Sequence, residues 1–250
     1  MNAKFVNREN IRRQEFEHIW DKKLDAVFSD VAPYYDRANL VASLGLIDML
    51  RRHFLSTINT SPGQKVLDVC AGTNANGIAL LMREPTLQVY AVDRSKNMLK
   101  TGDQMAQEKG FHIKSVISDA RNIPFPDNYF DVVTLSFASR HLMVADVFSE
   151  IHRVLKPGGH FYHCDMLRPG TRVVEELYYI YLKLCLYITA RIFGSGADAL
   201  ECKDYFIKAL RMFYSSKEIS ELLFQLGYSN STSKNIFAGM LAFHKACKAW

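Results

Sequence analysis

Between Lys65 and Cys164 short apolar runs alternate with helix-length amphipathic segments, and that alternation restricts the chain to a small group of folds. Lys65–Cys70, Leu87–Asp93, Ser115–Ser118, Asp131–Ser136 and His160–Cys164 read as five strands. Between them, Ala75–Met82, Ser95–Lys109 and Asp146–Leu155 read as helices, with Gly110 closing the second. Strands joined by single helices form right-handed βαβ units, so the expected fold class is α/β with a mostly parallel sheet. Lys156-Pro-Gly-Gly159 reads as a turn into the fifth strand.

The flanks read differently. A charged helix is expected over Glu9–Asp25, a loop over Ala32-Pro33-Tyr34-Tyr35-Asp36, and a helix over Leu44–Ser56, with Ser61-Pro62-Gly63 leading into the core. Beyond the fifth strand, Arg172–Phe193 and Lys203–Phe213 read as inserted helices. Ser216–Leu226 follows as a helix, with Ser215 or Ser216 as N-cap and Gly227 at its end. Asn235–Phe237 and Leu241–His244 read as two short strands around Ala238-Gly239. The expected organisation is an N-terminal helical segment, 1–60, that contributes to the substrate site. It precedes a core, 61–250, that carries a helical insertion at about 171–213.

Composition removes several functions. At 250 residues and 48% hydrophobic, the chain supports one large core. A net charge of +5 spread along the sequence without a basic run is not a nucleic-acid footprint. Cys70, Cys164, Cys185, Cys202 and Cys247 form no Cys-x-x-Cys pair, so reduced thiols are expected, with no metal site. Met1–Glu17 has no apolar signal core, and Val173–Phe193 carries Glu175, Glu176, Lys183 and Arg191, which argues against a spanning helix. A cytoplasmic protein is expected, with peripheral contact to a membrane left open. The inserted helix presents Leu177, Tyr178, Ile180, Tyr181, Leu184, Leu186, Tyr187 and Ile188 around most of its surface. Lid packing, a homodimer, a wall for an isoprenoid tail and a membrane-surface contact all fit that pattern.

Open parallel sheets bind ligands at the carboxyl ends of their strands, where strand order reverses. Three polar features fall at such ends. Asp68 lies in the first strand, and Cys70-Ala71-Gly72-Thr73-Asn74 leads from it into a helix. Asp93, followed by Arg94, ends the second strand, and Asp119-Ala120 follows the third. A tight turn admits the amino-acid portion of a cofactor close to backbone amides. A carboxylate ending strand two accepts both hydroxyls of a ribose, and one after strand three accepts from an adenine amino group. Tyr35, Asp36 and Thr73 are candidates for further contacts. An ordinary strand-to-helix turn explains the loop taken alone; the order and spacing of all three features favour an adenosyl cofactor.

The chain resembles the UbiE-type C-methyltransferases of menaquinone and ubiquinone biosynthesis, from about Val27 to Ala246. The resemblance lies in Ala120-Arg-Asn-Ile-Pro-Phe-Pro-Asp-Asn-Tyr-Phe-Asp131, Ser136-Phe137 with Arg140, and Arg153-Val-Leu-Lys-Pro-Gly-Gly159. It extends to Val27-Phe28-Ser29-Asp30-Val31-Ala32 with Tyr35-Asp36 and Asn39, and to Ser43-x-Gly45, Arg211-Met212 and Ala238-Gly239. It implies a Rossmann-like class I methyltransferase, with a mostly parallel seven-stranded sheet, helices on both faces and a helical lid. It also implies S-adenosylmethionine (SAM) as cofactor, contacted by Thr73, Asp93, Asp119, Ala120 and Ser136, and a small aromatic acceptor such as a demethylated, prenylated quinol. The chain departs from the family at Ala71-Gly72-Thr73-Asn74, where Gly-Gly-Thr-Gly is usual. Further departures are Ile47 and Leu50, where His and Trp are frequent, and His141, where Asn is usual.

Methyl transfer to a ring carbon needs the ring hydroxyl to lose its proton, and an ordinary phenol titrates near pH 10. A cation aimed at the developing oxyanion lowers that barrier. Arg140, just past the fourth strand, is the candidate for that cation, with His141 or Tyr35 moving the proton. A salt bridge is the competing role for Arg140, and packing for the other two. Two further functions stay open: methylation of another small lipid or natural product, and a non-catalytic methyltransferase-like subunit in which Ala71 and Asn74 spoil the turn. A base-amine methyltransferase is disfavoured, because Ser136-Phe137-Ala138-Ser139 stands where such enzymes carry Asn or Asp, two prolines and an aromatic.

Overall fold

The apolar runs pair as their alternation requires. In the computed structural model, which describes residues 1–22, 24, 32, 34–43, 45–193 and 203–250, they build one seven-stranded sheet. Its strands are β1 (Lys65–Val69), β2 (Gln88–Asp93), β3 (Lys114–Ile117), β4 (Phe130–Ser136), β5 (Leu155–Met166), β6 (Tyr228–Ile236) and β7 (Leu241–Lys248). They lie in the order β3-β2-β1-β4-β5-β7-β6; β1 to β5 are parallel, and β7 runs antiparallel between β5 and β6. The crossover direction reverses between β1 and β4, so their carboxyl ends frame a crevice.

The helices are α1 (Ala3–Lys22), α2 (Tyr35–Ala42), α3 (Leu46–Thr57), α4 (Ala75–Arg83), α5 (Lys96–Glu108), α6 (Val144–Val154), α7 (Arg172–Phe193), α8 (Lys203–Arg211) and α9 (Ser216–Gln225). Successive side chains of a strand point to opposite faces. Leu67 and Val133 therefore pack with Phe148 and Ile151 of α6 and Leu222 of α9, while Val66 and Val132 pack with Phe54 of α3 and Ile78 and Leu81 of α4. Both faces are covered, which explains why these strands are continuously apolar. Each fully buried Leu or Val contributes about 1.5–3 kcal/mol. Ser215, one of the two N-cap candidates in the sequence, caps α9, and the structure adds a capping box with Glu218.

Three expectations are corrected. The loop expected at 32–36 gives way at Tyr35 to α2, which places Asp36 in its first turn. Lys156–Gly159 does not interrupt the chain before β5; it is absorbed into the strand as an irregularity between Phe130 and Val132 of the neighbouring β4. The last hairpin is longer than expected, because β6 begins at Tyr228. Its Ser-Asn-Ser-Thr-Ser-Lys-Asn run lies on the sheet edge and is largely exposed, so no apolar alternation announces it. Val27-Phe28-Ser29-Asp30-Val31, the end of the helix expected at Asp25, Cys202 and the Leu186 side chain lie outside the described residues. Among the described residues no helix is long and apolar enough to cross a membrane.

Candidate active site

The turn after β1 is built on three residues in left-handed backbone: Cys70 (φ 54°), Gly72 (φ 55°) and Asn74 (φ 58°). Asn tolerates that region through its short polar side chain, so the position usually held by glycine keeps its geometry. Asn74 Nδ2 donates to Asp103 Oδ1 at 3.0 Å and Ser115 Oγ at 3.3 Å, which anchors the turn from behind. Gly102 of α5 permits the close approach, since a Cβ there would stand 2.6 Å from the Thr73 carbonyl carbon. In front, the Gly72 amide donates to Asp93 Oδ2 and the Ser95 amide to Asp93 Oδ1, each at 2.8 Å. The carboxylate at the end of β2 is therefore fixed in place.

A cavity of about 120 Å³ opens here, bordered by Gly72, Asp93, Arg94, Met98, Ala120, Ser136, His141 and, from the N-terminal segment, Trp20, Leu24 and Tyr35. The surroundings fit SAM. Gly72 lets the backbone approach, Asp93 offers acceptors for ribose hydroxyls, and Ala120 and Met98 offer apolar surface for a base. Just beneath the turn, Asp68 Oδ2 is buried without a partner. Burial raises the Asp68 pKa to about 6, against hydrogen bonds from Thr134 (2.6 Å) and Asn76 (3.4 Å).

The expected cofactor residues do not all meet. Gly72, Asp93, Arg94, Ala120 and Ser136 border this cavity, while Ala71 and Thr73 border a second one. Asp68, Asn74 and Asp119 border neither. Asn74 is turned toward α5. Asp119 is gripped by Arg121, whose backbone amide and guanidinium both donate to it at 2.8 Å; burial would raise its pKa, but those bonds outweigh it and hold the carboxyl below its ordinary range.

The second cavity holds about 790 Å³ and joins the first at Tyr35, Cys70, Gly72, Ser136 and Phe137. Its walls come from four sides: Asn39 of α2; Ile47, Leu50 and Arg51 of α3; Leu177, Tyr178 and Tyr181 of α7; and Phe206 and Ile207 of α8, with Phe237 and Met240 of the last hairpin closing it. Ile47 and Leu50, noted as departures in the sequence, both face this space. So do Arg140 and Thr73. Thr73 Oγ1 donates to Asp36 Oδ2 at 2.9 Å, which ties α2 to the cofactor turn, and Arg51 donates to the other Asp36 oxygen at 3.3 Å.

Arg140 sits in a short 3-10 turn, Ser139–His141. Its Nη1 donates to Asp165 Oδ1 at 2.5 Å and to the Phe137 carbonyl at 2.7 Å; among the described residues no other acceptor binds the guanidinium. Burial alone would lower its pKa, and the Asp165 charge outweighs it. The turn is clamped from two directions. Asp165, fully buried at the end of β5, also accepts from Ser139 Oγ (2.5 Å) and the Arg140 amide (3.2 Å). From α1, the fully buried Arg12 donates through Nη2 to the carbonyls of Arg140 and Leu142, each at 3.0 Å. Ser139 continues into a buried chain: His163 Nε2 at 2.8 Å, then His163 Nδ1 to His244 Nδ1 at 3.2 Å, then Ser216. Burial pushes both imidazoles down to about 3, so they are neutral near pH 7.

His141 borders the cofactor cavity but not the larger one, and its Nδ1 lies 2.7 Å from Tyr205 Oη. Burial, then the charges of Arg140 and Arg12, push its pKa well below the ordinary value. Tyr35 borders both cavities, and burial raises its pKa. The sequence reading missed Asp165, Arg12, Trp20 and Tyr205. Asp165 was detectable as one more carboxylate at a strand end; the other three carry no local signal.

Comparisons with known proteins agree with this geometry. Residues 17–248 match the ubiE/COQ5 methyltransferase family. The demethylmenaquinone methyltransferase of Anoxybacillus flavithermus is 33% identical over 227 residues, covering 90% of this chain and 94% of that one. The ubiquinone/menaquinone biosynthesis C-methyltransferase UbiE of Ectopseudomonas mendocina is 30% identical over 232 residues, covering 91% and 89%. Among solved structures, geranyl diphosphate C-methyltransferase of Streptomyces coelicolor, crystallised with S-adenosyl-L-homocysteine, superposes with a TM-score of 0.61 at 13% identity, over 81% of this chain and 79% of that one.

Proposed function

This chain belongs to the ubiE/COQ5 methyltransferase family and is a SAM-dependent methyltransferase, and from that premise we propose that it methylates a ring carbon of a demethylated, prenylated quinol. The observation that carries the acceptor is the apolar cavity of about 790 Å³, which meets the cofactor cavity beside Arg140. Its aliphatic and aromatic walls suit a ring with an isoprenoid tail, and the clamped Arg140 guanidinium suits a ring oxygen.

SAM supplies an electrophilic methyl group. The residues of this chain do the rest. Asp93, Gly72, Arg94, Ala120 and Ser136, with Thr73 and Ala71 on the acceptor side, are assigned to holding the cofactor. Arg140 holds the acceptor's oxygen as the phenolate, which raises electron density on the neighbouring ring carbon. That carbon would take the methyl group as the sulfur keeps the S–CH₃ bonding pair, and the ring proton would pass to water by way of the Tyr35 hydroxyl, which hands on its own proton in the same exchange. Tyr35 suits a proton relay better than His141, because it borders both cavities and stays protonated. The segment 1–60 completes the site through Trp20, Leu24, Tyr35 and the α3 wall.

The α7 stripe supports a membrane contact. Val173, Leu177, Ile180, Leu184 and Tyr187 are all more than half exposed on the helix that walls the acceptor cavity. We assign this enzyme to the cytoplasmic side of a membrane as a peripheral protein, with a second copy as the other apolar partner. Flotation with lipid vesicles should carry the chain upward and lose it when Leu177 and Ile180 become Ser; a concentration-dependent dimer without flotation favours the second copy.

The acceptor is tested by a methyl-transfer screen over demethylated benzoquinols and naphthoquinols, with calorimetry of SAM binding alongside. Turnover of a quinol is expected. SAM binding without transfer to any quinol removes the quinol reading in favour of another lipid or natural product. Absence of SAM binding favours a non-catalytic subunit.

A further inference from the structure

Among the described residues, the buried tyrosines satisfy their hydroxyls with one exception. Tyr179 donates to Glu175 (2.9 Å), Tyr214 to Glu9 (2.7 Å) and Tyr228 to the Phe148 carbonyl (2.8 Å). Tyr162 accepts from the Asn59 amide (3.1 Å), Tyr205 accepts from Trp20 Nε1 (2.8 Å), and Tyr90 meets Tyr129 (3.2 Å). Tyr178, only 6% exposed, has no hydrogen-bond partner among the described residues. A tyrosine hydroxyl left unpaired on a cavity wall, with its ring packed away, is a donor kept for whatever fills the cavity.

Its place explains the exception. The Tyr178 ring is wedged among Tyr179 of α7, Ile207 and Leu210 of α8, and Met166 and Met240. It borders the larger cavity together with Arg140, whose charge it feels, as does Tyr35. The packing that holds the ring rigid thus presents one unused donor to the cavity that Arg140 and Arg51 also line, and among the described residues Arg140 spends only Nη1 on its partners.

We propose that Tyr178 is a substrate-binding and specificity-determining residue: its hydroxyl donates to a ring oxygen of the acceptor, and with Arg140 it selects oxygenated rings and stabilises the phenolate. This deepens the quinol reading and rests on it. A donor held in place needs no reorganisation when charge develops, so its contribution grows as the phenolate forms. A site built to bond a hydroxyl also rejects rings that lack one.

Tyr178→Phe removes the hydroxyl and keeps the ring, and Tyr179→Phe, whose hydroxyl bonds Glu175 outside the cavity, is the control. In the transfer assay, Tyr178→Phe should lower kcat/KM for the quinol about 10- to 100-fold and move the rate–pH midpoint upward, with SAM affinity unchanged. A second arm reads binding without turnover: the wild type should bind 1-naphthol at least about tenfold more tightly than naphthalene, and Tyr178→Phe should shrink that preference. An unchanged kcat/KM and pH profile in Tyr178→Phe overturns the proposal. An unchanged naphthol preference does the same, even where no quinol is methylated. Failure of the wild type to methylate any quinol, with the naphthol preference intact and Tyr178-dependent, overturns the quinol and leaves Tyr178 as a selector of some other oxygenated ring.

Discussion

The cofactor end and the acceptor end of this active site are assembled in different ways. At the cofactor end, Gly72, Asp93, Ala120 and Ser136 all lie at or just past the carboxyl end of a parallel strand, and the Gly72 and Ser95 amides hold the Asp93 carboxylate among them. At the acceptor end, residues as distant in sequence as Asn39, Arg140, Tyr178 and Met240 meet across an apolar space. The first region is a property of the sheet. The second is made by helices added to it, and its polar groups (Arg140, Asp165, Ser139, His163, His244) are buried in a chain. The difference teaches where each function can vary: Asn74 can stand where glycine is usual because asparagine takes the left-handed backbone found there (φ 58°), while the wall of the larger cavity changes character with one side chain such as Ile47.

That comparison can be broken at several points. The largest effect is expected beneath the acceptor end. His163 and His244 titrate near 3 when folded and near 6.5 when unfolded, so the unfolded chain binds more protons in between. Their contribution is complete above about pH 6.5 and is lost as pH falls toward 3. At pH 5 the loss is about 2 kcal/mol per imidazole. Urea melts at pH 7 and pH 5 should show it, and equal midpoints would contradict neutral burial of the pair.

Arg140→Ala should lower kcat about 10²- to 10³-fold, while SAM affinity stays within about threefold. It also strands the Asp165 carboxylate, at about 3–5 kcal/mol of stability. Arg140→Ala with Asp165→Asn should recover stability without recovering turnover. Equal losses in SAM binding and turnover would place Arg140 in the cofactor end instead. Asp93→Ala should weaken SAM binding about 100-fold by calorimetry, because it removes the ribose acceptor and frees the Gly72 amide. Ala71→Gly should shift SAM affinity less than about threefold, since Ala71 borders the acceptor cavity and its backbone needs no glycine. A larger gain would mean that the alanine methyl obstructs the cofactor.

How much of this was legible follows the same division. The β1–β5 alternation, the acids at strand ends, the α9 N-cap and the inserted α7 could be read directly, because period and end signals are local. The resemblance carried by Ser136-Phe137, Arg140 and Leu155-Lys-Pro-Gly-Gly159 matches the family found for the whole chain. The edge strand β6 was read short because its exposed residues need no apolar pattern, and Tyr35 was read as loop although it begins α2. Asp119 was read as a cofactor contact, yet Arg121 two residues on claims its carboxylate, a competition that spacing does not reveal.

The sequence by itself determined the α/β class, the sheet that must bind at its strand ends, and the residues offered to an adenosyl cofactor, because each of these depends on neighbours a few positions apart. Only the tertiary structure decided that Arg12 and Asp165 clamp the turn bearing Arg140, and that Tyr178 lines the same cavity. Those contacts join elements whose separation along the chain exceeds any local period, and they exist only after the helices have buried their apolar faces against the sheet.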